Sequence, residues 1–138
     1  MPRRNVELVR KSFEAHSAGG IEAALRFYAE DFVWDPGPNW IEDRVYRGHD
    51  GARALDAIFT QTFHDYVLEV HEIRDLGDRV LALYEALGTV KDSGAAIRQP
   101  IGIVVSDFRD GTIGRVRSYF GWQDAREAVG LTELPDEQ

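Results

Sequence analysis

The chain has 138 residues, 43% of them hydrophobic, and a formal net charge of −8. Two lysines and fourteen arginines are dispersed among 24 carboxylates, which excludes the basic stripe of a nucleic-acid-binding surface. With no cysteine, and with histidines only at 16, 49, 64 and 71, there is neither a disulfide framework nor metal-ligand spacing, so no metal and no other cofactor is expected.

Asn5 caps a first helix that puts Val6, Val9, Phe13 and His16 on one face, and Ser17-Ala-Gly-Gly20 ends it. Ile21 to Tyr28 reads as a second helix, with Ile21, Ala24, Leu25 and Tyr28 spaced i, i+3, i+4, i+7. From Asp31 the period becomes two: Phe32 and Trp34 point one way, Val33 and Asp35 the other, until Pro36-Gly37-Pro38 ends the strand. Gly37 to Arg47 is a polar loop carrying Trp40, Ile41 and Tyr46, more apolar area than a solvated loop needs, and suits the lid of a pocket. A third helix starts near Asp50 and buries Ala54, Leu55, Ile58, Phe59 and Thr62, with Phe63 closing its end.

The remainder predicts sheet. Tyr66 to Arg74 and Arg79 to Val90 alternate as two strands, and Arg98 to Trp122 reads as a long hairpin turning at Asp110-Gly111, a pair that tolerates the positive φ of a tight turn. A short helix from Gln123 closes the fold at Gly130. Residues 1–131 are expected to form one domain and 132–138 a polar tail. The expected fold class is α+β: a cone-shaped, curved antiparallel sheet wrapped over three N-terminal helices, its mouth not filled by side chains. No run approaches 18 apolar residues and the N-terminus lacks an apolar signal core, so a cytoplasmic protein with no membrane partner is expected.

Four stretches in this order, GGIEAALRFYAEDFVWDP (19–36), YRGHDGARAL (46–55), LGDRVLALYEALG (76–88) and FRDGTIGRVRSYFGWQDAREAVGL (108–131), resemble the SnoaL-like branch of the nuclear-transport-factor-2-like superfamily. The resemblance implies a cystatin-like α+β barrel, commonly a homodimer, with a pocket at its open end. The superfamily includes polyketide cyclases, ketosteroid isomerase, limonene epoxide hydrolase, dehydratases and binding domains. Asp35-Pro36 is similar to the isomerase segment bearing its proton-shuttling Asp. The isomerase's oxyanion tyrosine falls near Ser12 or Phe13, and its protonated Asp near Ile103 or Val104, so both electrophilic groups are missing. The cyclase acid/base Asp matches Gly121, and the epoxide hydrolase carboxylates match Ser118 and Gly121, so neither of those mechanisms is complete here.

Asp35 is the first catalytic candidate: a carboxylate in an apolar pocket gains a pKa suited to proton transfer. Its other reading is a turn residue capping the backbone before Pro36. His71, mid-strand, either lines the cavity as proton donor or acceptor or lies on a dimer-facing surface. His64 suits the C-terminal end of the third helix. Trp40, Tyr46, Phe59, Phe63, Tyr84, Arg98, Tyr119 and Trp122 are candidate substrate contacts, with packing as the alternative for each. The expected partner is a small hydrophobic molecule, with a second copy of the chain on the outer sheet face. The expected function is a cyclase, isomerase or dehydratase acting by general acid–base chemistry on a carbonyl-containing substrate, and the alternative is a non-catalytic binding or dimerisation domain.

Overall fold

The computed structural model of the protein describes residues 2–37, 40 and 44–131. The expected tail at 132–138 and Ile41 of the mouth loop lie outside the described residues. The elements in order are α1 (Pro2–Ala24), a 3₁₀ turn (Leu25–Phe27), β1 (Tyr28–Asp35), β2 (Tyr46–Arg47), α2 (Gly48–Thr62), β3 (Phe63–Asp75), β4 (Val80–Val90), β5 (Ala96–Arg109), β6 (Thr112–Phe120) and α3 (Trp122–Ala128).

The two expected helices meet within α1 at Gly20, where the backbone leaves helical geometry (φ 75°, ψ −165°). The stripe Ile21, Ala24, Leu25 stays helical, but Tyr28 already belongs to β1. Its ring stacks on Phe32 at 4.5 Å between centroids. A spacing of four fits both periods, and the strand wins because Phe32 is buried there.

Six strands form one curved, unclosed sheet in the order β2-β1-β6-β5-β4-β3. It is mixed rather than antiparallel throughout, because β1 runs parallel to β6. Alternation in β1 reads out a strand but not its direction, and its direction follows from docking on the edge of the last strand. The β5–β6 hairpin turns at Asp110 and Gly111 with φ of 51° and 78°. Two successive positive φ values match the right-handed twist of the arms.

The concave face packs against α1 and α2. Val9, Leu25, Phe32, Ala52, Ala82, Tyr84, Ile101, Ile103, Val105, Ile113 and Val116 form this main core. The convex face has a smaller one, where α3 covers Leu81, Leu83 and Val104 with Ala125. A Cβ on Gly102 would sit 2.3 Å from the Ala125 Cβ, so only a hydrogen there lets α3 approach so closely. The third helix of the expected cone is thus α2, and α3 lies on the other side of the sheet from α1 and α2.

Candidate functional site

Where the concave face curves away from the helices, a cavity remains open. Its open volume is about 60 Å³, and its wall is largely apolar. Val9 and Phe13 from α1, Leu55 and Phe59 from α2, and Ile101, Ile103, Val105, Ile113 and Val116 from the hairpin supply the hydrocarbon.

Polar groups are few and converge. On α1, His16 follows Val9 and Phe13 on the inward face, and on α2, Asp56 stands one turn before Phe59. The Nε2 of His16 lies 2.8 Å from Oδ1 of Asp56, with the side chains only 14% and 13% exposed. A carboxylate only accepts hydrogen bonds, so Nε2 carries a proton, and in a neutral imidazole Nδ1 then holds the lone pair. The Tyr66 ring meets the imidazole edge to face at 6.0 Å.

Tyr28, Tyr66 and Tyr84 complete the polar set. Burial pushes all three phenols above their ordinary value, and the Asp56 charge adds to this for Tyr28 and Tyr66. They therefore remain O–H donors throughout the neutral range. All three line the cavity, so its wall carries phenol O–H groups.

Aromatic rings frame the cavity. Trp40 stacks on Phe120 at 5.7 Å and 8°, and on Phe59 at 5.6 Å and 27°. Phe59 in turn stacks on Tyr66 at 5.3 Å and 11°. The Trp40 indole donates to the Tyr46 hydroxyl at 2.8 Å. These near-parallel rings pack on one another at the cavity wall.

Of the residues singled out from sequence, Trp40, Phe59 and Tyr84 line the cavity. Phe63 packs beside it, 6.4 Å from both Phe59 and Tyr66, and buried Tyr46 supports Trp40. The others lie elsewhere. Phe32 is buried and Trp34 lines the cavity, so alternation turns Asp35 outward. One Asp35 carboxylate oxygen accepts from the Gly37 amide at 3.0 Å, and the other pairs with Arg117 at 3.2 Å. This is the turn geometry.

His71 sits at a register shift in β3 and faces the convex side. Its Nε2 is 2.8 Å from Glu85 and 3.3 Å from Glu69, and its ring lies 5.0 Å from Trp122. Arg98 donates to Glu85 at 2.6 Å. Trp122 donates to the Tyr84 carbonyl at 3.0 Å and so ties α3 to β4. The guanidinium of Tyr119's neighbour Arg117 lies 5.5 Å from the Tyr119 ring, also on this face. Glu69, His71 and Glu85 hold donor atoms within 4.8 Å of one another, but the Arg98 guanidinium already occupies the cation position between the two carboxylates.

The pair that sequence reasoning did not assemble is His16–Asp56. The available signal was two polar residues inside apolar stripes: His16 at i+3 from Phe13, and Asp56 at i+4 from Ala52 and i−3 from Phe59.

A sequence profile of the SnoaL-like domain matches residues 9–116. The chain belongs to the SnoaL-like family. Solved structures agree in fold. A putative SnoaL-like polyketide cyclase from Jannaschia sp. is 19% identical, with a TM-score of 0.72 over 95% of this chain and 94% of that one. A hypothetical protein with a ketosteroid isomerase-like fold from Catenulispora acidiphila, in complex with trimethylamine, is 16% identical, with a TM-score of 0.71 over 91% and 93%. TerC, co-crystallised with polyporic acid, is 19% identical, with a TM-score of 0.72 over 91% and 98%. No curated protein matches the sequence. Among the described residues no helix is long and apolar enough to cross a membrane.

Proposed function

We propose that this SnoaL-like protein is a cofactor-independent enzyme that moves a proton on a hydrophobic, carbonyl-containing molecule held in the concave cavity, as an isomerase, cyclase or dehydratase does. One observation carries the reading: a histidine–carboxylate pair at 2.8 Å, nearly buried, on the wall of an apolar cavity that also presents three neutral phenol donors. His16 takes the proton from the carbon next to the carbonyl onto Nδ1, while the C–H electrons move into the enolate and onto its oxygen. Asp56 holds the imidazole and stabilises the charge it gains. Tyr84 or Tyr28 donates to the enolate oxygen, a contact that strengthens as charge develops. Trp40 and Phe59 hold the flat apolar body. Return of the proton to another carbon gives an isomer, expulsion of a β-oxygen gives dehydration, and attack on a second carbonyl gives a ring.

Dissolved in D₂O with 2-tetralone, 2-indanone and a 3-oxo steroid, the protein should accelerate exchange of the α-protons, followed by proton NMR. His16→Gln should lower the rate by at least about 10²-fold. Exchange at the buffer rate for every ketone would contradict the reading. Saturable binding without exchange would assign the cavity to a carrier instead.

We take the convex face of β3–β5 as the surface joining two copies, supported by exposed Val67 beside the charged Glu69 and Arg98. Light scattering that gives the 15.6 kDa mass of one chain would remove that assignment.

A further inference from the structure

Far along the cavity wall from His16, on β6, stands a polar group that the proton-transfer scheme does not use. Ser118 pairs with Ile103 of β5 and is buried. It shares the inward side of β6 with Val116 and Phe120. Its hydroxyl oxygen accepts a hydrogen bond from the Trp34 indole N–H. An indole donates and cannot accept, so that bond occupies a lone pair on Ser118 and leaves the hydroxyl proton unused. Among the described residues no acceptor takes that proton.

The strand order places β6 and β3, the strand of Tyr66 that touches His16, three steps apart. At the usual strand spacing this is about 14 Å across the sheet. The cavity thus has the His16–Asp56 pair at the α1–α2 side and, on β6, the Ser118 hydroxyl, with the Tyr28 phenol on the neighbouring β1.

We propose that Ser118 is a specificity-determining residue that donates to a second oxygen of the substrate. On this basis the substrate is a flat molecule of fused rings, with an enolisable carbonyl at the His16 end and a carbonyl or hydroxyl oxygen at the other. The inference rests on the proton-transfer reading and narrows it. A buried donor left without an acceptor is costly, so a ligand that supplies one is favoured over an otherwise equal ligand that does not. Trp34 holds the hydroxyl in place by occupying its lone pair, so the donor is aimed before the ligand arrives.

The test uses three probes, 2-tetralone, 6-hydroxy-2-tetralone and 6-methyl-2-tetralone, the last two matched in shape. Affinities are measured by titration calorimetry on the wild type, Ser118→Ala and Ser118→Thr. The wild type should prefer the 6-hydroxy over the 6-methyl ketone by about tenfold, the discrimination expected of one buried hydrogen bond. Ser118→Ala should abolish the preference while leaving 6-methyl affinity within about twofold, and Ser118→Thr, which keeps the hydroxyl, should retain it. Equal binding of the two ketones by the wild type, or a preference that survives Ser118→Ala, overturns the proposal. If those results accompany normal His16-dependent exchange, the proton-transfer reading stands. If no probe binds the wild type, both fail together.

Discussion

The sheet carries two histidine–carboxylate pairs of equal length, one on each face. His16–Asp56 on the concave side and His71–Glu85 on the convex side both measure 2.8 Å. Their surroundings differ. His16 is 14% exposed and Asp56 has no arginine partner among the described residues, whereas His71 is 40% exposed and Glu85 is also bonded by Arg98 at 2.6 Å. Burial alone would raise the Glu85 carboxyl, but hydrogen bonds from His71 and Arg98 together outweigh it and hold Glu85 below the ordinary carboxylate range. The outer pair is a closed ion network whose valences are spent on one another. The inner pair lines the cavity together with three phenols. The proposed chemistry rests on the inner pair because it lines the cavity.

If the concave face carries both fold and chemistry, the largest effect comes from its core. Phe32→Ala, which removes the ring held between Tyr28 and Trp34, should cost about 3–5 kcal/mol in denaturant unfolding. Next is the dyad itself. Asp56→Asn should lower ketone exchange by about 10- to 100-fold while 2-tetralone affinity, measured by calorimetry, stays near wild type, as expected for a positioning residue. The convex pair should instead answer to acid. Its carboxyl is lower in the folded than in the unfolded state, so its stabilisation is present above the ordinary glutamate value of about 4.3 and is lost as pH falls through the folded value. Melting curves of wild type and Glu85→Gln should therefore diverge at neutral pH and converge below about pH 4. The smallest effect is expected at the β1 turn, where Asp35→Asn should leave exchange within about twofold of wild type. A loss of about 10²-fold there would move the chemistry to Asp35.

Much of the fold was legible because period two and period 3.6 are distinct over long segments. The hairpin at Asp110-Gly111, the strand Val80–Val90 and the helix before Phe63 all follow from local pattern. What was not legible has physical causes. Alternation in β1 is blind to its parallel docking on β6, and the spacing Ile21–Tyr28 fits a helix until Phe32 claims Tyr28.

The site suffers more, because face assignment depends on which side of a strand is buried. Phe32 and Trp34 outweigh Asp35 for the inward side, and the register shift at Val70/Glu72 places His71 against Trp122 on the convex face. His16 and Asp56 lie forty positions apart on two helices. Only packing brings them together, although each was visible as a polar residue set within an apolar stripe.

The measurement that tests the account most directly is α-proton exchange of 2-tetralone in D₂O by wild type, His16→Gln and His71→Gln, side by side. Wild type should accelerate exchange, His16→Gln should lose at least about 10²-fold of that rate, and His71→Gln should stay within about twofold of wild type. Retention in His16→Gln with loss in His71→Gln would contradict the assignment to His16 and move the chemistry to the convex face.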